Sequence, residues 1–528
     1  MGRRVLFKHS SAATALLLLV ASFVGFWAVG PVVVSASEDT DRPGSQPVDQ
    51  LPTDGRTKGG PKIAVIGGGI GGTSSAYFLR KLLGPSAAID LYEPGAIGGR
   101  LATVRIGDRD YESGGSIIHP KNKYMVDFRE EFGLKVRDSP SSLTGFYNGE
   151  EFVFTESAWT VVTLMRLLWR YGLDFLYISS DVEAMLTSFS NIYKLQDSGH
   201  AFTSPAQMLE AMGGDQFASL AQKSLREVLM SRGYSDRFIN EVASVAMRDN
   251  YGQSVNITAF AGMVSLAGVQ PGLWAVHGGN KLVPEALLKS SGAVWHRAKV
   301  SVVRKVTDAT TGPTGFELTV QPTGTGEEST TVYDMVIVAT PLTPGVGSDI
   351  GFQGFEPAPG PFSGRYQRTV ANFVRGQPNP KAFGKPAGDK LPDVETTQNI
   401  SLNIRTLARN FPVDMAKGEG EMDDPAGNVY KLFAGDVLSD DQMGALFVSH
   451  DVRQSVDWLA YPHYTVDDEM PHFLLSEGLF YVNGIEWAAS AMEMSAIGGR
   501  NAALLAKEYW EGTSATTGQT VKHTKQEL

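Results

Sequence analysis

The stretch "KIAVIGGGIGGTSSAYFLRKLLGP", Lys62 to Pro85, decides the fold. Its opening run, KIAVIG, has the length and composition of a buried strand. Gly67-x-Gly69-x-x-Gly72 follows at once. Ile70 to Leu83 then suits a helix, closed by Gly84-Pro85. "AIDLYE" reads as the next strand, and its terminal acid, Glu93, follows Gly72 by 21 residues. Each glycine has its own task. Gly67 permits the sharp turn, Gly69 lets backbone N–H groups approach a pyrophosphate, and Gly72 lets helix and strand pack closely. The helix N terminus adds positive potential for phosphates. Glu93 can accept hydrogen bonds from ribose hydroxyls, and its charge disfavours a 2′-phosphate. A lone glycine cluster is a weak signal. Strand, glycine turn, helix and acid in this order make a dinucleotide-binding unit, which NAD and FAD fit equally.

Working outward, 528 residues exceed what one core usually serves, so at least two domains are expected. Hydrophobic residues at 42% and charged residues at 20% fit a globular protein. A net charge of −11 disfavours a nucleic-acid partner. There is no cysteine, which excludes disulfides, thiolate metal sites and a cysteine nucleophile, and the nine histidines show no metal-ligand spacing.

The N terminus reads as a secretory signal over residues 1–37: "MGRRVLFKHS" is basic, and Ala12 to Val34 is apolar and uncharged. Ser35 to Ser37 offers a small-residue cleavage site. An uncleaved anchor is the alternative. Sequons at Asn256 and Asn399 agree with a lumenal route. The ending Lys525-Gln526-Glu527-Leu528 is similar to the signal that returns proteins to the endoplasmic reticulum. Residues 38–60 read as a polar linker.

Further along, "GFYNGEEFVF" predicts a hairpin with Asn148-Gly149 as a two-residue turn. Ala158 to Met247 reads as helical. "KVSVVRKV", "GFELTV" and "TVYDMVIVAT" predict three strands, and "YQRTVANFVRG", "NVYKLFAG", "GALFVSH" and "GLFYVNG" predict four more. Asn483 to Trp510 looks helical, with Glu486 before a run of small residues, and 512–528 reads as a disordered tail.

Three further segments tip the cofactor toward FAD. "GAIGGR", Gly95 to Arg100, resembles the Gly-Gly-Arg element of glutathione-reductase-type flavoproteins, including amine oxidases. "YESGGSIIHP" resembles their flavin-side Gly-Gly-Ser loop, and "VIVATP" their late strand. The resemblance implies a glutathione-reductase-type FAD-binding Rossmann domain joined to a discontinuous α+β substrate domain, an α/β fold of amine-oxidase-like architecture. Gly99, Arg100, Gly115 and Ser116 join Gly67, Gly69, Gly72 and Glu93 as implied cofactor contacts. Val300 resembles the strand position whose backbone meets adenine. Glu486 resembles the acid delivered to the ribityl or pyrophosphate region, with Ala488 to Ala491 letting backbone approach the ring. The expected division is 61–157, 272–345 and 471–511 for the cofactor domain, and 158–271 and 346–470 for substrate.

"GGSIIHPKN", "MRDNYGQS", "FAGMVSLAG", "GLWAVHGGNKLVPEALL", "WLAYPHY" and "GLFYVNGIEWAASAMEMSAI" together resemble the prenylcysteine oxidase family, over roughly Lys62 to Trp510. The resemblance implies oxidative cleavage of a farnesyl- or geranylgeranyl-cysteine thioether in a lysosome or vacuole. FAD takes a hydride, water adds, and cysteine and a prenyl aldehyde leave. Molecular oxygen then yields hydrogen peroxide. His119 is the candidate for placing the water, and Arg248 for binding the substrate carboxylate. Trp159 to Tyr177 and "AFAGMVSLAG" are candidates to line a prenyl tunnel. Arg166 and Arg170 beside Trp159, Trp169 and Tyr171 also suit a peripheral membrane contact. An FAD-dependent amine or polyamine oxidase, and a non-catalytic carrier of lipidated ligands, are the alternatives.

Overall fold

The structure, a computed structural model, describes residues 60–524 apart from 139–141, 308–313, 325, 348, 398–402 and 417–426, with side chains described as far as 512. The N-terminal signal, residues 38–59 of the linker, the Asn399 sequon and the Lys525–Leu528 ending lie outside the described residues.

Lys62–Ile66 lies between two parallel neighbours, Ala88–Tyr92 and Met335–Val338, with Ile66 opposite Tyr92 on one side and Val338 on the other. Ile63, Ala64 and Val65 are fully buried, as a strand covered on both faces requires. The helix Ile70–Leu83 crosses over between the first two strands, and Gly84 closes it at positive φ. The finished six-stranded sheet runs Leu474–Ser476, Leu479–Tyr481, Met335–Val338, Lys62–Ile66, Ala88–Tyr92, Val294–His296. Chain segments hundreds of residues apart therefore build one Rossmann-like sheet.

Two strand expectations need correction here. "TVYDMVIVAT" is two strands in different sheets: Ser329–Tyr333 pairs antiparallel with Thr314–Pro322, and Met335–Val338 joins the parallel sheet. Asp334 makes the break, exchanging main-chain and carboxylate hydrogen bonds with the Lys62 backbone. "GALFVSH" is half helix, because Ser439 and Gln442 form a capping box that starts Asp440–Leu446 before the strand Phe447–Pro462 begins.

A seven-stranded sheet forms the second body: Phe447–Pro462, Tyr366–Pro378, Val429–Ala434, Ile404–Asn410, Asp393–Thr396, Thr144–Tyr147, Phe152–Thr155. Its first two strands pair antiparallel from Tyr366↔Pro462 to Pro378↔Phe447. The expected hairpin at Asn148 is present, with a longer turn: the Asn148 N–H donates to the Glu151 carbonyl, and its side-chain oxygen accepts from the Glu150 and Glu151 amides. Helices from Thr160–Tyr171 to Ala259–Ala267 lie between the strands Phe152–Thr155 and Val294–His296 in sequence.

The C-terminal segment departs from a single helix. Asn483–Trp487 is a 3₁₀ turn, and the α-helix begins only at Met492. Its backbone stays helical to Thr524, past the expected end near Trp510: Gly512 and Gly518 each cost only about 1 kcal/mol, and no proline follows. Gly499 permits a close crossing: a Cβ there would lie 2.7 Å from the Gly71 carbonyl oxygen. Glu493 ties the same helix to distant chain, its carboxylate accepting from the Tyr124 and Met125 amides at 2.8 and 3.0 Å. No helix among the described residues is long and apolar enough to cross a membrane.

Candidate active site

The turn after the first strand opens onto a cavity of about 1020 Å³. Gly67 to Gly71 and Glu93 line one region of it, Gly98 to Leu101 and Ser113 to Ile117 continue the wall, and Val482, Asn483, Glu486 and Ser490 to Ser495 close another side. The helix Ile70–Leu83 has no side-chain cap at its N terminus, so its first-turn N–H groups are left for a ligand. A second helix start, at Met492, borders the same space.

Of the residues singled out in the sequence, Gly67, Gly69, Glu93, Gly99, Arg100, Gly115, Ser116, His119 and Glu486 all line this one cavity. Gly72 sits just behind it, where a Cβ would lie 1.9 Å from the Gly67 carbonyl oxygen. Glu93 accepts from the Gly68 amide at 3.0 Å and the Gly95 amide at 2.8 Å, which rigidifies the glycine turn. Ser116 donates to the Gly114 carbonyl at 2.8 Å and accepts from the buried Lys431 ammonium at 3.3 Å.

Glu486 has work beyond the role expected for it. Its carboxylate, 1% exposed, accepts from the Tyr366 hydroxyl at 2.9 Å and pairs with the Arg100 guanidinium, which also donates to the Ala460 carbonyl at 2.6 Å. It therefore joins the Gly-Gly-Arg turn to the C-terminal 3₁₀ turn.

Two expectations are corrected, and a third residue lies away from this cavity. Arg248 turns away from the cavity: it donates to the Thr396 hydroxyl at 2.8 Å and the Ile404 carbonyl at 3.2 Å, on the seven-stranded sheet. It neither lines the cavity nor pairs with Asp249. Burial lowers its pKa to about 10. His119 lines the cavity, but the Lys121 amide donates to its Nδ1 at 3.1 Å, so Nε2 carries the proton and meets Gln270 Oε1 at 3.1 Å. Burial pushes its pKa down. A neutral ring with both nitrogens engaged is a wall, not a base. Val300 is buried opposite Val320 in a four-stranded sheet that runs Ser329–Tyr333, Thr314–Pro322, Ala298–Thr307, Gly351–Gln353, and it is not among the residues lining this cavity.

The helical wall also differs from expectation. Met185, Leu186, Phe189 and Tyr193 line the cavity, together with Val264, Ser265, Ala267 and Gly268 from the "AFAGMVSLAG" segment. Residues Trp159 to Tyr177 contribute nothing to it. They instead carry an exposed apolar face, with Trp159 at 76%, Met165 at 64% and Trp169 at 93% exposure. Tyr171 and Arg170, counted with that face in the sequence, point inward and both bond Glu241.

The sequence profile of the family described as prenylcysteine lyase matches residues 154–519. The chain belongs to the prenylcysteine lyase family. Prenylcysteine oxidase 1 from Bos taurus is 43% identical over 457 residues, covering 86% of this chain and 89% of that protein. Prenylcysteine oxidase 1 from Homo sapiens is 42% identical over 455 residues, covering 85% and 90%, and the human prenylcysteine oxidase 1-like protein is 37% identical over 453 residues, with the same shares. A second profile, an NAD(P)-binding Rossmann-like domain, matches residues 65–132, the part of this prenylcysteine lyase family chain that carries the glycine turn, Glu93 and the Gly-Gly-Ser loop. Among solved structures, cyclohexylamine oxidase from Brevibacterium oxydans superposes with a TM-score of 0.53 at 14% identity, covering 86% of this chain and 100% of that one. A putrescine oxidase triple mutant also gives 0.53 at 14% identity, covering 84% and 98%. At such identities the likeness is one of fold, and it agrees with the α/β, amine-oxidase-like architecture expected from the motifs.

Two site residues escaped sequence reasoning. Lys431 stands in the apolar strand run "NVYKLFAG", where a buried lysine is out of pattern; burial lowers its pKa to about 8. Asp249 directly follows Arg248, and it is Asp249 that faces the cavity.

Proposed function

We infer that the chain is an FAD-dependent thioether oxidase that cleaves farnesyl- or geranylgeranyl-cysteine to cysteine, a prenyl aldehyde and, with molecular oxygen, hydrogen peroxide. One observation carries this reading beyond family membership: a single cavity joins the glycine turn to an apolar helical wall. A dinucleotide and a lipid chain can thus meet in one space.

The residues present fit FAD. The glycine turn leaves room for a pyrophosphate against first-turn N–H groups, and Asn483 Oδ1 is buried on the cavity side with no hydrogen-bond partner, an acceptor that awaits a donor. Gly67, Gly69, Gly72, Glu93, Gly99, Arg100, Gly115, Ser116 and Glu486 would hold the cofactor, directly or by bracing the turn. When bound, FAD would supply hydride acceptance. The protein's own tasks are then to orient the thioether carbon, exclude bulk water and admit one water. Met185, Leu186, Phe189, Val264 and Ala267 would receive the prenyl tail. On this reading 61–157, 272–345 and 471–511 serve the cofactor, apart from the strands Thr144–Tyr147 and Phe152–Thr155, which join the seven-stranded sheet, and 158–271 and 346–470 serve the substrate.

The reading also places the protein in the lumen of the secretory pathway, with lysosomal delivery or retrieval to the endoplasmic reticulum as its end point. The exposed face of Thr160–Tyr171 would rest on a lipid surface, since contiguous apolar exposure of this kind marks interaction sites. The deciding experiment is anaerobic addition of farnesylcysteine to the purified protein. Yellow protein should bleach, and air should then restore the colour with release of peroxide. A spectrum that stays oxidised with every prenylcysteine tried rejects the reading.

A further inference from the structure

Asp249 stands in the last turn of the helix Ser244–Tyr251 and lines the same cavity as the Gly114–Ser116 loop and Trp458. No described residue hydrogen-bonds to its carboxylate. That isolates it among the acids of the cavity. Glu93 holds two backbone amides, Glu486 holds Arg100 and Tyr366, and Glu493 holds two amides and the Tyr193 hydroxyl. A recessed acid without partners is costly, and such a cost persists where a reaction uses it. Among the described residues Lys431 is the cation that draws the Asp249 pKa down, anchored on the Glu112 carbonyl at 3.1 Å and on Ser116. Asp393 and Glu395 from the strand Asp393–Thr396, and Tyr461 from Phe447–Pro462, also act on it electrostatically. Its pKa is pushed up to about 6 by burial, which leaves it ionised near neutrality yet able to hold a proton.

We propose that Asp249 is the catalytic base and acid for the water step, taking a proton from the water that attacks the oxidised carbon and returning it to the leaving sulfur. This rests on the thioether-oxidase reading above, with a flavin as oxidant. Loss of a hydride leaves the substrate carbon as a sulfur-stabilised cation. Water forms a C–O bond to that carbon and gives one proton to the Asp249 carboxylate. In the resulting hemithioacetal the hydroxyl proton leaves to solvent, C=O forms, and the C–S bond breaks with its electron pair on sulfur. Asp249 then protonates that sulfur, so cysteine departs as a thiol and the carboxylate is restored. The hydride, counted as one proton and two electrons, and one solvent proton convert oxygen to hydrogen peroxide.

The test separates the hydride step from the water step in Asp249→Asn. Anaerobic single turnover with farnesylcysteine is followed by flavin bleaching, and quenched samples are assayed for free cysteine and prenyl aldehyde. Bleaching within about 3-fold of wild type with product release slowed about 100-fold or more supports the proposal. Wild-type product release against both readouts overturns it, and so does equal slowing of both at full flavin content, which would place Asp249 before the water step. If no thioether bleaches the wild type, the functional reading itself has failed. Lys431→Met is the second variant, for use if Asp249→Asn does not fold. Loss of the neighbouring cation should move the acidic limb of wild-type product release to higher pH, and difference infrared titration should move the carboxyl band with it. An unmoved limb and band overturn the proposal.

Discussion

The Tyr366 hydroxyl donates to Glu486 Oε2 at 2.9 Å, while Arg100 occupies the other carboxylate oxygen. Three elements that are remote in sequence thus meet at one buried acid beside the cavity. Removing the acid leaves Arg100, which is partly exposed to the cavity, without its ionic partner, and losing a charge-assisted bond of this kind costs about 1–3 kcal/mol. Glu486→Ala is therefore expected to lower the melting temperature and to lose most of its flavin on gel filtration. Tyr366→Phe, which removes one donor, should cost about 1–2 kcal/mol and keep its flavin. The flavin-to-protein absorbance ratio checks both.

The glycine turn allows a sharper contrast. A Cβ at Gly72 would lie 1.9 Å from the Gly67 carbonyl oxygen, so Gly72→Ala must move the turn away from the phosphate position. Little soluble protein, or colourless protein, is the expected outcome. Gly444 lies within the helix Asp440–Leu446 and has open space around it. Gly444→Ala should stabilise the chain by about 0.5–1 kcal/mol without touching flavin content. Chemical denaturation of the two variants side by side makes the comparison.

Arg248 provides a negative control for the substrate site. Its partners are Thr396 and the Ile404 carbonyl, away from the cavity. Arg248→Ala is expected to destabilise the fold by about 1–3 kcal/mol, the range for buried polar groups left unpaired. The KM for prenylcysteine should stay within about 2-fold of wild type. A KM rise of tenfold or more at unchanged flavin content would return Arg248 to the substrate site.

Glu156 gives the protein a pH dependence with a definite sign. It is buried, its carboxylate accepts only the Thr144 amide among its described side-chain contacts, and burial raises its pKa to about 7. Between the ordinary carboxylate range and pH 7 the folded state therefore holds more proton than the unfolded state, and stability falls as pH rises. Above pH 7 the full penalty is about 3 kcal/mol. Glu156→Gln keeps an acceptor for Thr144 and cannot ionise. It should exceed wild type in denaturant midpoint at pH 8 and match it at pH 4; a difference that does not change with pH would count against this origin.

The exposed face of Thr160–Tyr171 is tested away from the cavity. Met165 and Trp169 are largely exposed, so the double change Met165→Glu and Trp169→Glu should leave the melting temperature within about 1 °C. Flotation with phosphatidylcholine–phosphatidylserine vesicles should carry the wild type and release the variant. Wild-type protein that stays at the bottom of the gradient removes the membrane contact.

Much of the cofactor side was legible because it is local. KIAVIG, the glycines and the helix to Leu83 obey rules that act within one turn or one strand, and the structure reproduces those bounds. Gly99, Arg100, Gly115 and Ser116 were found by motif and line the cavity. Arg248 and Asp249 show where that kind of reading ends. Both stand in "MRDNYGQS", and adjacent residues on a helix point about 100° apart, so choosing between them requires knowing which face meets the seven-stranded sheet. The same holds for Lys431, whose burial depends on Glu112 and Ser116 more than 300 residues earlier.

By itself the sequence determined the βαβ nucleotide unit, because strand period, turn chemistry and helix stop signals are properties of neighbouring residues. Only tertiary structure decided which acid is satisfied and which is left bare, since hydrogen bonds to Glu486 and their absence at Asp249 depend on distant segments brought together by burial of the shared core.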